Sequence, residues 1–279
     1  MAGFWRRFAR NRGAVVGLAL LVVVFAMAAA ASWMYPGSPW DMKGAPFQPP
    51  GARGFLFGSD MLGRDVAAGI VHGARVSLLI GLVSAFVAVS IGVTLGAFSG
   101  YYGGLIGEAI VRVTEFFQTI PNFVLLIVLV ALFTPTVTSI VLAIGVVSWP
   151  PVARIVRGEF LSIRAREFVQ AAVLSGESDL RIIVTQVLPN ALSPIIVSGS
   201  LLVATAILLE SALSFLGLGD PNLMSWGYMI GAARVMMRRA PWMSFFPGLA
   251  IVLTVLALNL VGDGLNDALN PRLARKGRA

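Results

Sequence analysis

The sequence predicts an all-α integral membrane protein with about six transmembrane helices. Two observations carry that expectation. Of the 279 residues, 57% are hydrophobic and only 12% are charged, which exceeds what a soluble core of this length needs. The apolar residues also gather into charge-free runs at 13–40, 76–107, 116–153, 182–209 and 240–262, each long enough for the roughly 20 residues that a spanning helix requires. The absence of Cys removes disulfides, thiolate metal sites and thiol catalysis, and the single His72 leaves no histidine-rich metal site.

Taken in order, the first run follows Arg6, Arg7, Arg10 and Arg12 and imitates a secretory signal, with Ala28 to Ser32 resembling a small-residue cleavage site. A cleavable signal core has about 7–15 apolar residues, whereas this run continues to spanning length, so it reads as an uncleaved first span. Segment 35–75 is the first excursion from the membrane, and Pro36, Pro39, Pro46, Pro49 and Pro50 keep its start irregular. Ser59 or Asp60 then offers an N-cap for an amphipathic helix over Val66 to Val71, expected to lie at the outer interface. The third run is too long for one crossing, and Thr134-Pro135-Thr136 divides it with a residue that lacks a backbone donor. The six spans therefore fall at roughly 14–34, 76–99, 118–134, 137–154, 190–214 and 243–262. Residues 1–75 form a tail, first span and external loop; 76–279 form a core of five spans with a loop at about 155–189.

An even number of spans puts both termini on one side. With cytoplasmic termini, the inner segments hold Arg6, Arg7, Arg10, Arg12, Arg112, Arg154, Arg157, Arg164, Arg166, Arg181, Arg272, Arg275, Lys276 and Arg278. The outer segments then hold half as many, namely Lys43, Arg53, Arg64, Arg75, Arg234, Arg238 and Arg239. Basic residues are retained on the cytoplasmic face, so this orientation is expected. The net charge of +8 sits in short juxtamembrane clusters without a soluble domain to read a groove. These clusters set topology and touch anionic lipid headgroups, and nucleic acid is not an expected partner.

Between the fourth and fifth spans the apolar pattern gives way to a charged helical stretch in small residues, Gln170 to Pro189. On a helix, Ala171 with Ser175 and Ala172 with Gly176 are four apart and share a face. That face serves either packing within the chain or close approach by another surface. Gly176 costs about 1 kcal/mol of helix propensity relative to Ala, so a compensating contact or turn is expected. Glu210 is a carboxylate flanked by apolar sequence in the fifth span; such a group either lines a pathway or makes a structural hydrogen bond near the outer end. Asp263, between Gly262 and Gly264, reads as a local cap.

Ala171, Ala172, Gly176, Leu188 and Pro189 resemble the cytoplasmic loop of ABC importer permeases that meets the ATPase. The chain is similar throughout to permeases of the dipeptide, oligopeptide and nickel importer family. The matches include Phe57-Gly58, Gly63-Arg64-Asp65 and Gly73-Ala74-Arg75 in the first half. They continue through Ser148-Trp149, Arg157-Gly158 and Leu188-Pro189-Asn190 to Glu210-Ser211-Ala212-Leu213-Ser214-Phe215-Leu216-Gly217-Leu218-Gly219, Ser225-Trp226-Gly227 and Asn270-Pro271-Arg272. Gln170, Asn266 and Asn270 depart from the family's acidic, Arg and Asp residues.

The resemblance implies the type I ABC importer permease fold and the role of the second, dipeptide C-type subunit in the bacterial inner membrane. It also implies a second homologous permease, two cytosolic ATP-binding subunits carrying ATP and Mg, and an extracytoplasmic substrate-binding protein. ATPase docking then falls on Gln170, Ala171, Ala172, Ser175, Gly176 and Asp179. This chain is expected to be non-catalytic and to hold no cofactor or metal. Its only lysines, Lys43 and Lys276, stand outside any phosphate-binding Gly-Lys-Ser/Thr context. Short peptides are the implied substrate, with a nickel or metal-chelate importer as the alternative. A self-contained secondary transporter would require an internal repeat or further intramembrane charges.

Overall fold

The computed structural model describes residues 2–52 and 54–269. Arg53, Arg272, Arg275, Lys276, Arg278 and the Asn270-Pro271-Arg272 end of the sequence pattern lie outside them. The described residues are helical with no extended strand, only isolated bridges Met42–Arg64 and Ser59–Asp65.

The order begins with α1 (Ala2–Arg10), α2 (Arg12–Ala29) and the short α3 (Ala31–Met34). An irregular segment leads to α4 (Val66–Tyr102), followed by α5 (Gly104–Thr119), α6 (Asn122–Leu132) and α7 (Val137–Arg164). Next come α8 (Glu167–Leu174), α9 (Asp179–Ile182), a π-helical turn at Ile183–Val187 and α10 (Leu188–Phe215). The chain closes with α11 (Trp226–Ala233) and α12 (Trp242–Leu269). Five stretches are long and apolar enough to cross a membrane: α2, α4, α7, α9 through α10, and α12. A sixth crossing exists only if α5 and α6, bent by 87° at Ile120-Pro121, count together. The straight span expected at 118–134 is therefore a broken one, because Pro121 interrupts it before the 11 residues of α6 begin.

The expected division at Thr134-Pro135-Thr136 is present. The Thr136 hydroxyl accepts from the Ser139 N–H at 3.2 Å and the Ser139 hydroxyl accepts from the Thr136 N–H at 2.9 Å, a reciprocal cap that starts α7. The second span starts well before position 76. Asp65 caps α4 by accepting from the Ala67 N–H at 2.9 Å, so Val66 to Val71 are the buried first turns of a spanning helix rather than a separate interfacial one. Ser59 and Asp60 are not that cap. The Ser59 hydroxyl accepts from the Gln48 N–H at 2.9 Å and donates to the Ala45 carbonyl at 2.8 Å, which ties the outer loop to itself. One Asp60 oxygen accepts from the Leu62 and Arg64 N–H groups, both at 2.8 Å. α4 runs without interruption through positions 75 and 76. Arg75 allows this by turning its guanidinium to the end of α2, where it donates to the Ala28 carbonyl, to the Ala29 carbonyl at 2.9 Å and to the Ser32 hydroxyl at 3.0 Å.

Helices in a bilayer gain little from water exclusion, so their association rests on close packing. α4 and α7 meet along Gly92, Gly96 and Gly100, spaced four apart on one face. A Cβ added there would lie 2.6 Å from Val152 Cβ, 2.5 Å from the Ala153 carbonyl oxygen and 2.6 Å from Phe160 Cβ. Gly81 meets Ile207 of α10 in the same way, and Gly17 of α2 meets Leu260 of α12. The segment before α11 closes the other end: the fully buried Trp226 donates from its backbone N–H to the Ser77 hydroxyl at 3.0 Å and from Nε1 to the Ile70 carbonyl at 2.9 Å.

Gly96→Leu is expected to push α7 away from α4 and destabilise the purified protein by about 1–3 kcal/mol, read as a lower thermal transition in detergent. Gly158→Ala, whose Cβ meets nothing within 4 Å, is expected to leave that transition unchanged or raise it.

Candidate functional site

The predicted docking segment folds as α8, a tight turn, α9 and the π-helical turn that enters α10. α8 ends in a left-handed glycine cap. The Glu177 N–H reaches the Ala172 carbonyl at 3.2 Å and the Gly176 N–H reaches the Val173 carbonyl at 3.0 Å, with Gly176 at φ +78°. Gly176 is thus the turn that reverses the chain rather than part of a helix face shared with Ala172. The compensating turn expected for it is present, while the four-residue pairing of Ala172 with Gly176 is not.

Local hydrogen bonds order the rest of the loop. Gln170 donates from Nε2 to the Arg164 carbonyl at 2.9 Å, closing the end of α7. The Ser175 hydroxyl donates to the Ala171 carbonyl at 2.8 Å. Asp179 accepts from the Tyr101 hydroxyl at 3.0 Å, fastening the start of α9 to the end of α4. The Arg164 guanidinium lies over the Tyr101 ring, 5.5 Å from its centroid. On the inner side, Val169, Ala172, Ile182 and Ile183 pack with Tyr101, Phe160 and Ile163 in one apolar cluster.

The six predicted docking residues therefore do not share one surface. Gln170, Ala171, Ser175, Gly176 and Asp179 are exposed, but Ala172 faces the chain's own core at 8% exposure. Sequence reasoning missed the apolar residues of the outer face: Leu174 is 88% exposed and Leu180 66% exposed, with Phe168 and Val173 beside them. The signal was available, since Leu174 stands immediately before the polar stretch Ser175-Gly176-Glu177-Ser178-Asp179.

Glu210 lies elsewhere, roughly 33 Å along α10 from Leu188 at 1.5 Å per residue. It is 2% exposed. Its Oε1 accepts from the Ser214 hydroxyl at 2.8 Å and the Ser225 hydroxyl at 2.7 Å. Ser225 in turn accepts from the Tyr228 N–H at 2.9 Å and so caps α11. The second carboxylate oxygen has no hydrogen-bond donor and lies against the backbone of Gly227, at the positive end of α11. These hydrogen bonds join the end of α10 to the start of α11. Asp263 is not a cap: α12 continues past it to Leu269, and its side chain is exposed. Among the described residues no three His, Asp or Glu side chains converge to hold a metal.

Gly176→Ala places a Cβ in left-handed backbone at a cost of about 1–2 kcal/mol, so amide hydrogen exchange across α8 is expected to rise about 5- to 30-fold, with Gly176→Asn closer to the parent. Glu210→Ala leaves two buried hydroxyls without their acceptor and is expected to cost about 1–3 kcal/mol in thermal stability. Glu210→Gln, which keeps a carbonyl oxygen, is expected to retain most of it.

Residues 92–275 match the family described as binding-protein-dependent transport system inner membrane component. Residues 1–50 match the N-terminal transmembrane domain of oligopeptide transport permease C. The chain is 44% identical to the dipeptide transport system permease of Escherichia coli over 277 residues, covering 97% of this chain and 92% of that one. It is 39% identical to the di/tripeptide permease of Pseudomonas aeruginosa, covering 97% and 91%. With the oligopeptide permease of Salmonella typhimurium it shares 42% identity, covering 96% and 89%. In structure it is similar to an inward-facing MetNI methionine ABC transporter, with a TM-score of 0.60 and 18% identity over 72% of this chain and 96% of that one. An amino acid ABC transporter follows at a TM-score of 0.55 and 14% identity, covering 72% and 94%. The bundle that α4 and α7 organise is thus an ABC importer permease fold, and the chain belongs to the binding-protein-dependent transport system inner membrane component family.

Proposed function

We propose that this chain is one of two permease subunits of an ATP-driven importer that carries short peptides across the bacterial cytoplasmic membrane. The observation that carries the proposal is the loop at 165–187, anchored to two spanning helices on one side and exposing an apolar face on the other. Tyr101 and the cluster around Phe160 bind its inner side to α4 and α7. Leu174, Leu180, Phe168 and Ala171 leave its outer side open to a partner. A polypeptide face with that much exposed apolar surface outside a bilayer calls for a protein cover.

In this reading both termini and the loop face the cytoplasm, as the distribution of arginines supports. Two cytosolic ATP-binding subunits hold ATP and Mg, and one of them seats on α8. When the ATPases close, the push enters at α8, passes through the Tyr101–Asp179 hydrogen bond and the Phe160 cluster, and turns α4 and α7 together. A second homologous permease completes the pathway, and an extracytoplasmic binding protein delivers the substrate. Peptides rather than nickel chelates are supported by the names of the three relatives above, which are di-, tri- and oligopeptide permeases. Near-complete coverage of those permeases favours the importer over a self-contained carrier.

Purification from native membranes in mild detergent is expected to recover a second permease, ATP-binding subunits and a binding protein whose bound ligand is a short peptide. Leu174→Asp is expected to insert normally yet lose the ATP-binding subunits and at least 10-fold of peptide-stimulated ATP hydrolysis. Normal recovery of the ATPases with that variant would move the docking surface away from α8, and transport by the chain alone would overturn the importer reading.

A further inference from the structure

A cavity of about 200 Å³ opens between the ends of α4, α5 and α7, on the same side of the bundle as the loop at 165–187. Its lining is split by chemistry. Gly96, Ile110, Val111 and Ala153 give it apolar walls, and Arg154 and Arg157 are its basic lining residues. The Nε of Arg157 is buried and makes no hydrogen bond. A buried guanidinium nitrogen without an acceptor costs free energy unless a ligand supplies one. The polar neighbours do not fill that role. The Ser99 hydroxyl donates to the Gly107 carbonyl at 3.1 Å and the Thr114 hydroxyl to the Ile110 carbonyl at 2.7 Å. Glu115 pairs outward with Arg112 at 3.0 Å, where the two side chains are 52% and 83% exposed.

We infer that this cavity binds the phosphate of an anionic membrane lipid, held by Arg157 and Arg154. A guanidinium offers parallel donors that match phosphate oxygens. Basic recesses between spanning helices at the cytoplasmic side suit anionic headgroups. The cavity's own walls suit the rest of the molecule: Gly96, Ile110, Val111 and Ala153 give an apolar surface against which the start of the acyl chains can lie. Those apolar walls favour a lipid over a free anion, which would leave them uncovered.

The test is native mass spectrometry of the detergent-purified full-length permease titrated with phosphatidylglycerol, with phosphatidylcholine as the neutral comparison. The expected result is one phosphatidylglycerol retained per chain in preference to phosphatidylcholine, with at least a 10-fold loss of retention in Arg157→Gln and none in Arg112→Gln. Val111→Trp, which fills the cavity without removing a charge, is expected to lose retention equally, so the result does not rest on one substitution. Equal retention by Arg157→Gln, Val111→Trp and the parent overturns the proposal. So does displacement of phosphatidylglycerol by millimolar inorganic phosphate, which would make the ligand a free anion. A crosslink from position 111 to a carboxylate-bearing segment of a partner subunit in the intact complex, with no lipid retained, would assign the arginines to a protein contact instead.

Discussion

The contact on which the rest of this bundle depends is the backbone-to-backbone approach of α4 and α7. In lipid, a Leu on one helix gains nothing from leaving an acyl chain for another helix, so only tighter fit distinguishes the right neighbour. Gly92, Gly96 and Gly100 supply that fit by removing the side chains that would hold α7 away. The result is a pair that behaves as one body. α10 enters against α4 at Gly81, and the segment around Trp226 hydrogen-bonds to α4 at Ser77 and Ile70. Elements at both ends of the bundle thus refer their positions to α4.

The two ends use different chemistry for that reference. At the end that carries α11, fixed hydrogen bonds dominate: Ser225 to Glu210, Trp226 to α4, and Trp242 to the Ser59 carbonyl at 3.1 Å. Removing one partner there strands a buried polar group, which makes the arrangement stiff. At the end that carries the loop at 165–187, the loop is attached mainly by apolar packing, with Tyr101–Asp179 and Gln170–Arg164 as its side-chain polar ties. Apolar contacts are non-directional and tolerate small rotations that a hydrogen-bond network would resist. A π-helical turn at Ile183–Val187 follows at once, and such turns mark places where a helix changes its register.

The spanning helices, the divide at Thr134-Pro135-Thr136 and the turn at Gly176 were legible because each rests on local chemistry: length of apolar sequence, a missing donor, a missing side chain. Three features were not. The start of α4 was placed too late because the charge-free run was counted from position 76, after Arg75, whereas Arg75 serves carbonyls of α2, a long-range contact absent from local pattern. Ser59, Asp60 and Asp65 all carried capping chemistry, and only the folded loop shows that the first two are committed elsewhere. Within the docking segment, composition identified the stretch but not its facing. Ala172 turned inward and Leu174 outward because Gly176 ends α8 one residue after its cap, which shortens the helix that the four-residue spacing assumed.

The bend at Ile120-Pro121 has a consequence for solvent. At 1.5 Å per residue, the 11 residues of α6 reach about 16 Å, roughly half of a 30 Å hydrocarbon core. Backbone that leaves helical geometry at membrane depth cannot face acyl chains, because nothing there satisfies its N–H and C=O groups. The flank of this subunit at positions 119–121 must therefore be wetted by an aqueous recess or sealed by a neighbouring protein.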